Sequence, residues 1–300
     1  MMDQPDAVAL EAAAALLEAS QDYQVLRRLQ PRASVTGIPE QDTRLGLFVD
    51  VETTGLDPSK DEIIELAMVP FRYSIEGIIV DVGEPFDRLR EPSTSIPPTI
   101  AALTGITDTM VAGQRIDPEE VTQFALSAAV VIAHNAAFDR KFLERFCPSF
   151  SFKPWACSMS EVDWAAEGFE GTKLAYLAMG CGFFYDRHRA ANDCLAAVEM
   201  LSRALPKSGV NALAHLLARA RLPTWRIWAE GSPFEFKDQL KSRGYRWNGE
   251  ENGRPRAWYI DVADEQRDAE LVFLKTEIYQ RDVDLKPSRI TAYERFSERV

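Results

Sequence analysis

Two carboxylates, Asp50 and Glu52, follow the apolar residues 47–49 and are separated by a single residue. In a β-strand, residues two apart project from the same face, so this spacing directs both carboxylates into one small volume. Carboxylates this close repel each other unless one is protonated or a cation neutralises them. Oxygen ligands of this kind suit magnesium or manganese rather than zinc. An Asp and a Glu at a strand end also occur as solvated turn residues, so the pair alone leaves both interpretations open.

Two further acids, Asp139 and Asp193, lie in segments that each contain a histidine a few residues earlier. Residues 130–135 are typical of a buried strand, and residues 136–146 are typical of the helix that follows it. With Asn135 as the capping residue, Asp139 falls in the first helical turn, where the helix macrodipole favours an anion.

His188 stands five residues before Asp193, at the entrance of a helix whose apolar face continues through Leu195, Val198 and Leu201. This spacing predicts that His188 lies at the start of the helix while Asp193 faces inward from the next turn. A single acid in such a position is more often a surface residue than a metal ligand. The order Asp-x-Glu, then Asp, then His-x4-Asp predicts instead that the four acids act together.

Four carboxylates from separate segments can hold two divalent metal ions for phosphodiester hydrolysis. The reaction needs a hydroxide nucleophile near neutral pH, shielding of phosphate charge and stabilisation of the departing oxygen, which two ions about 3.5–4 Å apart supply. We therefore predict that two Mg²⁺ or Mn²⁺ ions are bound. His188 is predicted to be the general base, because the unperturbed pKa of histidine, about 6.5, suits proton transfer near neutral pH. The predicted ligands are Asp50, Glu52, Asp139 and Asp193.

The two remaining histidines have structural interpretations. His134 precedes the turn at Asn135 and is expected to order the end of the strand. His215 lies in the amphipathic segment 210–217 and is expected to be a partly exposed helix residue.

These segments resemble the motifs of the DEDDh class of 3′-5′ exonucleases, which includes the proofreading subunit of bacterial DNA polymerase III. Residues 49–56 resemble the first motif, residues 134–139 the second and residues 188–193 the third. Residues 96–107 resemble the stretch between the first two. The resemblance covers about residues 45–205, and every motif position is present. It implies an α/β, ribonuclease H-like fold, in which helices flank both faces of a mixed sheet.

The periodicity of the sequence agrees with such a fold. Apolar runs predict strands, and helical spacing predicts the helices between and after them. The predicted strands lie near residues 45–50, 63–71, 77–82 and 129–133, and the predicted helices over 118–128, 137–146, 173–179 and 190–204.

The resemblance also implies a set of residues that hold the terminal nucleotide. Thr53 and Thr54 would present hydroxyls and backbone amides to its sugar and phosphate. Gly55 would allow close backbone approach, and Leu56 would wedge against the base. A plain strand-to-loop turn uses the same residue types.

The charge of the chain is unusual for a protein that binds nucleic acid, because phosphate attraction normally supplies much of the affinity. The net charge is −12 over 300 residues. Residues 1–223 hold 20 basic and 31 acidic side chains, whereas residues 224–300 hold 14 and 15. We therefore expect low overall affinity for nucleic acid, with the substrate delivered by a partner or by the C-terminal part.

We predict four parts: an N-terminal helical extension (1–44), an exonuclease domain (45–205), a helical linker (206–223) and a small tryptophan-rich α+β domain (224–300). In the last part, we predict a helix leading into a turn over residues 236–246 and two paired strands at residues 245–247 and 257–260. One charged helix is predicted over residues 262–279. Its tryptophans are interpreted as the core of this module, and aromatics among Lys and Arg can also stack on bases. The role of residues 287–300, in covering the sheet edge or docking a subunit, stays open.

The N-terminal residues 7–29 predict one amphipathic helix packed on the nuclease or on a partner. The sequence carries no secretory signal and no apolar run of membrane-spanning length, so a cytoplasmic protein without membrane association is expected. The four cysteines lack CxxC spacing, which argues against a zinc site, and they are expected to stay reduced.

The predicted function is metal-dependent release of nucleoside 5′-monophosphates from 3′ ends of single-stranded DNA. A replicative polymerase subunit is the expected protein partner. Two alternatives stay open. An enzyme that trims RNA 3′ ends would share every catalytic residue. A non-catalytic adaptor that binds nucleic acid or a polymerase would usually lack a carboxylate, and none is missing here.

Overall fold

A computed structural model describes residues 6–249 and 251–300. Its strands are β1 (Arg27–Arg28), β2 (Thr43–Thr53), β3 (Ile63–Ser74), β4 (Ile79–Val82), β5 (Phe86–Leu89), β6 (Val130–Ala133), β7 (Trp155–Cys157), β8 (Phe183–Phe184), β9 (Thr224–Ala229), β10 (Arg246–Trp247), β11 (Trp258–Ala263) and β12 (Ser288–Ile290). Its α-helices are α1 (Ala7–Glu18), α2 (Pro98–Thr104), α3 (Asp108–Val111), α4 (Pro118–Ala125), α5 (Ala136–Phe146), α6 (Leu174–Gly180), α7 (Ala190–Leu201), α8 (Ala212–Arg221), α9 (Lys237–Ser242) and α10 (Arg267–Phe273).

Six strands form the main sheet, in the order β4-β3-β2-β6-β7, with β5 also paired to β3. β2 is antiparallel to β3 and parallel to β6, and β6 is parallel to β7. The sheet is therefore mixed, as predicted, and the four predicted strands and four predicted helices of this region are all present.

Residues along β2 alternate between two cores because successive strand side chains point to opposite faces. Leu47 and Val49 pack with residues of α4 and α5 on one face, whereas Phe48 packs with residues of α6, α7 and α8 on the other. Helices thus cover both faces of the sheet, which confirms the predicted α/β class. Five residues of α8, in the segment predicted as a linker, are buried in the second of these cores.

The C-terminal part contains a second, antiparallel sheet in the order β10-β11-β9-β12. The two predicted strands around Trp247 and Trp258 are paired. The prediction missed β9, which contains Trp225 and Trp228, and it missed β12. Trp225 and Trp258 pack against the small core of this part, whereas Trp247 is 53% exposed. The boundaries proposed for the four parts of the chain stay predictions.

The predicted single helix over residues 262–279 is wrong. β11 continues to Ala263 because Val262 and Ala263 pair with Trp225 and Thr224 of β9. The α-helix begins only at Arg267, and it continues beyond Phe273 as a π-helical turn, Leu274–Ile278. Strand pairing with a distant segment therefore overrode the local helical pattern.

The closing segment of the chain covers the edge of the main sheet at β7. The backbone N–H of Trp155 donates a hydrogen bond to the carbonyl of Ala292 at 2.8 Å. Arg140, whose side chain is fully buried, donates to the carbonyls of Tyr293 and Arg295 at 2.5 and 2.6 Å. Of the two roles left open by the sequence, the structure shows the covering of a sheet edge.

The N-terminal helix is shorter than predicted and lies on the surface. α1 ends at Glu18, where Ser20 accepts a hydrogen bond from the backbone N–H of Asp22, a local interaction that competes with helix. All residues of α1 are exposed or partly exposed, and Arg27 pairs with Glu11 and Glu18 on its polar side. Across the described residues, none of the helices has the length and apolar character needed to cross a membrane.

Candidate active site

Asp50 and Glu52 project from one face of β2 because they are two residues apart. Val49 and Val51, the alternate residues, are buried in the core on the opposite face. The pairing of β2 with β3 shifts register between Glu52 and Thr53. Both carboxylates therefore lie where the regular part of a central strand ends.

The third segment presents Asp193 from the first turn of α7. Its Oδ2 accepts a hydrogen bond from the backbone N–H of His188 at 2.9 Å, and its Oδ1 accepts one from the Tyr185 hydroxyl at 2.7 Å. His188 has a φ of 63°, a left-handed conformation that is uncommon outside glycine. The Asp193 carboxylate thus stabilises the turn that carries His188 to the helix entrance.

The acids from these separate segments converge. Carboxylate oxygens of Asp50, Glu52 and Asp193 lie within 4.8 Å of one another. The same three residues line a cavity of about 200 Å³ together with Asp139 and His188. The structure therefore brings all four predicted acids and the predicted base to one cavity, with Asp139 outside the tightest group.

Asp139 is 2% exposed in the first turn of α5. Its Oδ1 accepts a hydrogen bond from the backbone N–H of Val51 at 3.2 Å. Val51 lies between Asp50 and Glu52, so this bond ties the start of α5 to the strand that carries the first two acids.

Burial raises the pKa of all four carboxyl groups, that of Glu52 to about 7 and that of Asp139 to about 8. For Asp50, the negative charges of Asp139 and Asp193 raise the pKa further. Burial, together with these neighbouring charges, makes the ionised carboxylates unfavourable here, and a bound divalent cation would offset that cost. A donor set of carboxylate oxygens fits hard cations such as Mg²⁺ and Mn²⁺.

The three histidines have different surroundings. His188 lines the cavity, and its ring has no hydrogen-bond partner within the described part of the chain. His134 Nδ1 lies 2.8 Å from Ser158 Oγ, and its Nε2 lies 2.7 Å from the carbonyl of Thr172. Burial lowers the pKa of His134 to about 4, so this ring stays neutral and braces the strand end. His215 is partly exposed on α8.

The four residues predicted to hold the substrate lie beside the cavity and contribute none of its lining among the described residues. The Thr53 hydroxyl donates to the Gly55 carbonyl at 2.6 Å, and the Thr54 hydroxyl donates to Asp61 at 3.2 Å. A side chain at position 55 would come within 2.5 Å of the Asp61 carboxylate. The hydroxyls thus brace the loop, while the Leu56 side chain is 82% exposed.

Sequence reasoning missed an ion pair behind the acids. Glu65 on β3 is fully buried, and its carboxylate accepts hydrogen bonds from Arg189 Nε and from the backbone N–H of Ala190, both at 2.9 Å. These contacts anchor the first residues of α7, the helix that carries Asp193. The available signal was an acid inside an apolar strand, the same signal that identified Asp50. Tyr185, which contacts Asp193, gave no such signal.

Several curated proteins are similar to the chain. It is 30% identical to DNA polymerase III subunit epsilon of Aquifex aeolicus over 166 residues, which are 53% of the chain and 79% of that protein. It is 33% identical to the 3′-5′ exonuclease DinG of Bacillus subtilis over 49% of the chain and 16% of that protein. Its 42% identity to DNA polymerase III PolC-type of Halalkalibacterium halodurans covers 35% of the chain and only 7% of that protein. The chain therefore spans a small part of the last two proteins.

Among solved structures, E. coli Exonuclease I in complex with a dA16 oligonucleotide is similar at 17% identity and a TM-score of 0.47, covering 73% of this chain and 63% of that one. A family model described as Exonuclease (RNase_T) matches residues 47–201, slightly more than half of the chain. This range includes both acids of β2, Asp139 and Asp193. The chain therefore belongs to the RNase_T exonuclease family, a family of divalent-metal-dependent hydrolases.

Proposed function

We propose that the chain is a 3′-5′ exonuclease that releases nucleoside 5′-monophosphates from the 3′ ends of single-stranded DNA. The observation that carries this proposal is the convergence of Asp50, Glu52 and Asp193 oxygens within 4.8 Å of one another, beside Asp139 and His188. The four acids would hold two Mg²⁺ or Mn²⁺ ions. The names of the Aquifex and Bacillus relatives support DNA and the 3′-5′ direction.

The side chains of the cavity divide the chemistry between them. When bound, the divalent ions supply a hydroxide near neutral pH and stabilise the charge of the phosphate and of the departing 3′ oxygen. His188 accepts the proton of the attacking water, a role that suits a ring with no competing partner in the described structure. Asp193 holds the turn of His188, and residues 53–56 support the terminal nucleotide, with Leu56 against its base.

The direction of digestion is tested with one single-stranded 20-mer labelled at either end. In MgCl₂ or MnCl₂, the 5′-labelled strand should give a ladder that shortens with time, whereas the 3′-labelled strand should give labelled mononucleotide at once. EDTA should stop both. The reverse pattern of labels would overturn the proposed direction, and undiminished release in EDTA would overturn the metal requirement.

Variants test the roles of the individual residues. Asp50→Ala and Asp139→Ala should abolish nucleotide release and stay folded, whereas His188→Ala should slow release by about 10²–10⁴-fold and still bind metal. Glu84→Gln removes an exposed acid outside the cavity and serves as the control. Full activity in either aspartate variant, judged against melting curves, would refute the ligand assignment.

Two further assays address substrate and partner. Digestion of DNA and RNA 20-mers of one sequence separates DNA degradation from RNA trimming, and we expect DNA to be degraded faster. Because a relative is named as a polymerase III subunit, we propose a replicative polymerase subunit as partner. A pull-down with the tagged chain should recover such a subunit, and its absence at high bait concentration would argue for a free-standing enzyme.

A further inference from the structure

A cleft of about 740 Å³ lies between α5 of the nuclease core and the C-terminal sheet. Its lining includes seven Lys or Arg side chains and three Asp or Glu side chains, an excess of four positive charges. The whole chain has a net charge of −12. The cleft, hereafter the basic cleft, therefore concentrates positive charge on an otherwise acidic protein.

The nuclease wall of the basic cleft includes one stripe of α5, with Ser160 and Glu161 beside it. Ala137, Lys141 and Arg145 line it, and residues four apart share one face of a helix. Asn135 and Phe138, next to Ala137, line the acidic cavity of the active site. The basic cleft therefore begins beside that cavity and extends along α5 for about 12 Å, at about 1.5 Å per residue.

The opposite wall is the outer face of the C-terminal sheet. Tyr259 pairs with Arg246 on one side, and Asp261 pairs with Arg226 on the other, so these four residues share a face. The guanidinium groups of Arg226 and Arg246 lie 4.7 and 4.8 Å from the centre of the Tyr259 ring. The Trp228 ring also lies 4.8 Å from the Tyr259 ring, so this face presents guanidinium groups packed on aromatic rings, and guanidinium groups bind phosphates well.

Cations in the basic cleft outnumber the carboxylates that neutralise them. Arg226 and Arg246 share the single carboxylate of Asp261. Lys141 and Arg219 also line the cleft, and neither forms a salt bridge among the residues that the structure describes. Glu161 interacts electrostatically with Arg219, but its carboxylate already pairs with Arg295. These two side chains are available to an anionic ligand.

We propose that the basic cleft binds the backbone phosphates of the nucleic acid strand whose 3′ end occupies the active site. This inference rests on the proposed function and extends it, because it assigns the C-terminal sheet to substrate binding. Its physical reason is that the acidic cavity repels phosphates, so a strand needs cations just beyond the terminal nucleotides. The cleft would act on strands long enough to extend past the active site.

The test compares the chain with a Lys141→Ala/Arg219→Ala variant. Binding of a fluorescein-labelled single-stranded 20-mer is followed by anisotropy in EDTA, so that no hydrolysis occurs. Each phosphate contact to a single strand contributes about 0.7 to the slope of log K against log salt. Two lost contacts should lower the magnitude of that slope by about 1.4. The affinity ratio of the wild-type chain to the variant should therefore be about 25-fold larger at 0.1 M salt than at 1 M salt.

The matched control is Arg281→Ala/Lys286→Ala, which removes two exposed cations outside the cleft. Hydrolysis of a trinucleotide, which is too short to extend far along α5, should be unchanged in both double variants. A 20-mer affinity equal to that of the control variant would overturn the proposal. Tighter binding of an oligoglutamate than of the 20-mer would also overturn it, in favour of an acidic protein partner.

These outcomes separate this proposal from the proposed function. The binding measurement does not depend on catalysis, so it reads the basic cleft even if the chain releases no nucleotide. Conversely, the cleft variant could bind the 20-mer as well as the control variant does and still digest it. That result would leave the exonuclease assignment intact and refute only the proposed role of the basic cleft.

Discussion

Replacing Arg140 by methionine should destabilise the chain by about 3 kcal/mol. The Arg140 side chain has no exposed surface, and it donates hydrogen bonds to Glu144 and to three backbone carbonyls of the closing segment. Methionine keeps an apolar stem of similar length and removes the charge and all donors. The loss is therefore one of hydrogen bonds and charge rather than of packing volume.

The magnitude follows from which acceptors keep a second donor. The carbonyl of Ala292 still accepts from Trp155, and that of Tyr293 still accepts from Arg299. The carbonyl of Arg295 and one oxygen of Glu144 lose their donor. Each unsatisfied buried acceptor costs about 1–3 kcal/mol, which gives about 3 kcal/mol for the pair.

Urea unfolding followed by tryptophan fluorescence measures this loss, and limited proteolysis reports release of the closing segment. Arg145→Met is the matched control, because Arg145 lies on the same helix, is 48% exposed, and pairs with Glu298 at the surface. A pair of this kind contributes less than about 1 kcal/mol. If both variants lost equal stability, the reasoning about the buried guanidinium would be wrong.

Two other perturbations test the site. Arg189→Ala leaves the buried Glu65 carboxylate with only a backbone donor. We therefore expect a stability loss of about 2 kcal/mol and slower nucleotide release, both partly restored by Arg189→Lys. An Arg189→Ala variant that unfolds at the wild-type urea midpoint would contradict this expectation. Burial raises the pKa of Glu52 from 4.5 to about 7, so in EDTA its contribution to stability is present below pH 4.5 and lost as pH rises through 7. Relative to Glu52→Gln, the metal-free chain should lose about 3 kcal/mol between pH 4.5 and pH 8, and MnCl₂ should restore stability at pH 8. If the metal-free wild-type chain instead gained stability relative to Glu52→Gln as the pH rises, the prediction would be wrong.

The sequence alone predicted the four acids that line the cavity, because local rules govern where each of them lies in its element. Alternation along a strand puts Asp50 and Glu52 on one face, and a helix start puts Asp139 and Asp193 in first turns. The spacing of apolar residues along the sequence likewise predicted the main strands and the helices around them. Each of these features depends on residues within a few positions of one another.

Contacts between distant segments decided the rest. The Glu65–Arg189 pair joins residues 124 apart, and Arg140 binds carbonyls more than 150 residues later. β11 extends to Ala263, into the segment predicted as helical, because pairing with β9 supplies hydrogen bonds that a local pattern does not reveal.

The basic cleft is the clearest case of a feature that only the tertiary structure decided. One wall comes from α5 and the other from strands about 100 residues later. Neither segment has a large charge excess when read alone, because residues 136–146 hold three basic and two acidic side chains and residues 224–261 hold seven and six. Charge density depends on distance in space, and packing the two segments against each other creates a positive surface beside the acidic site.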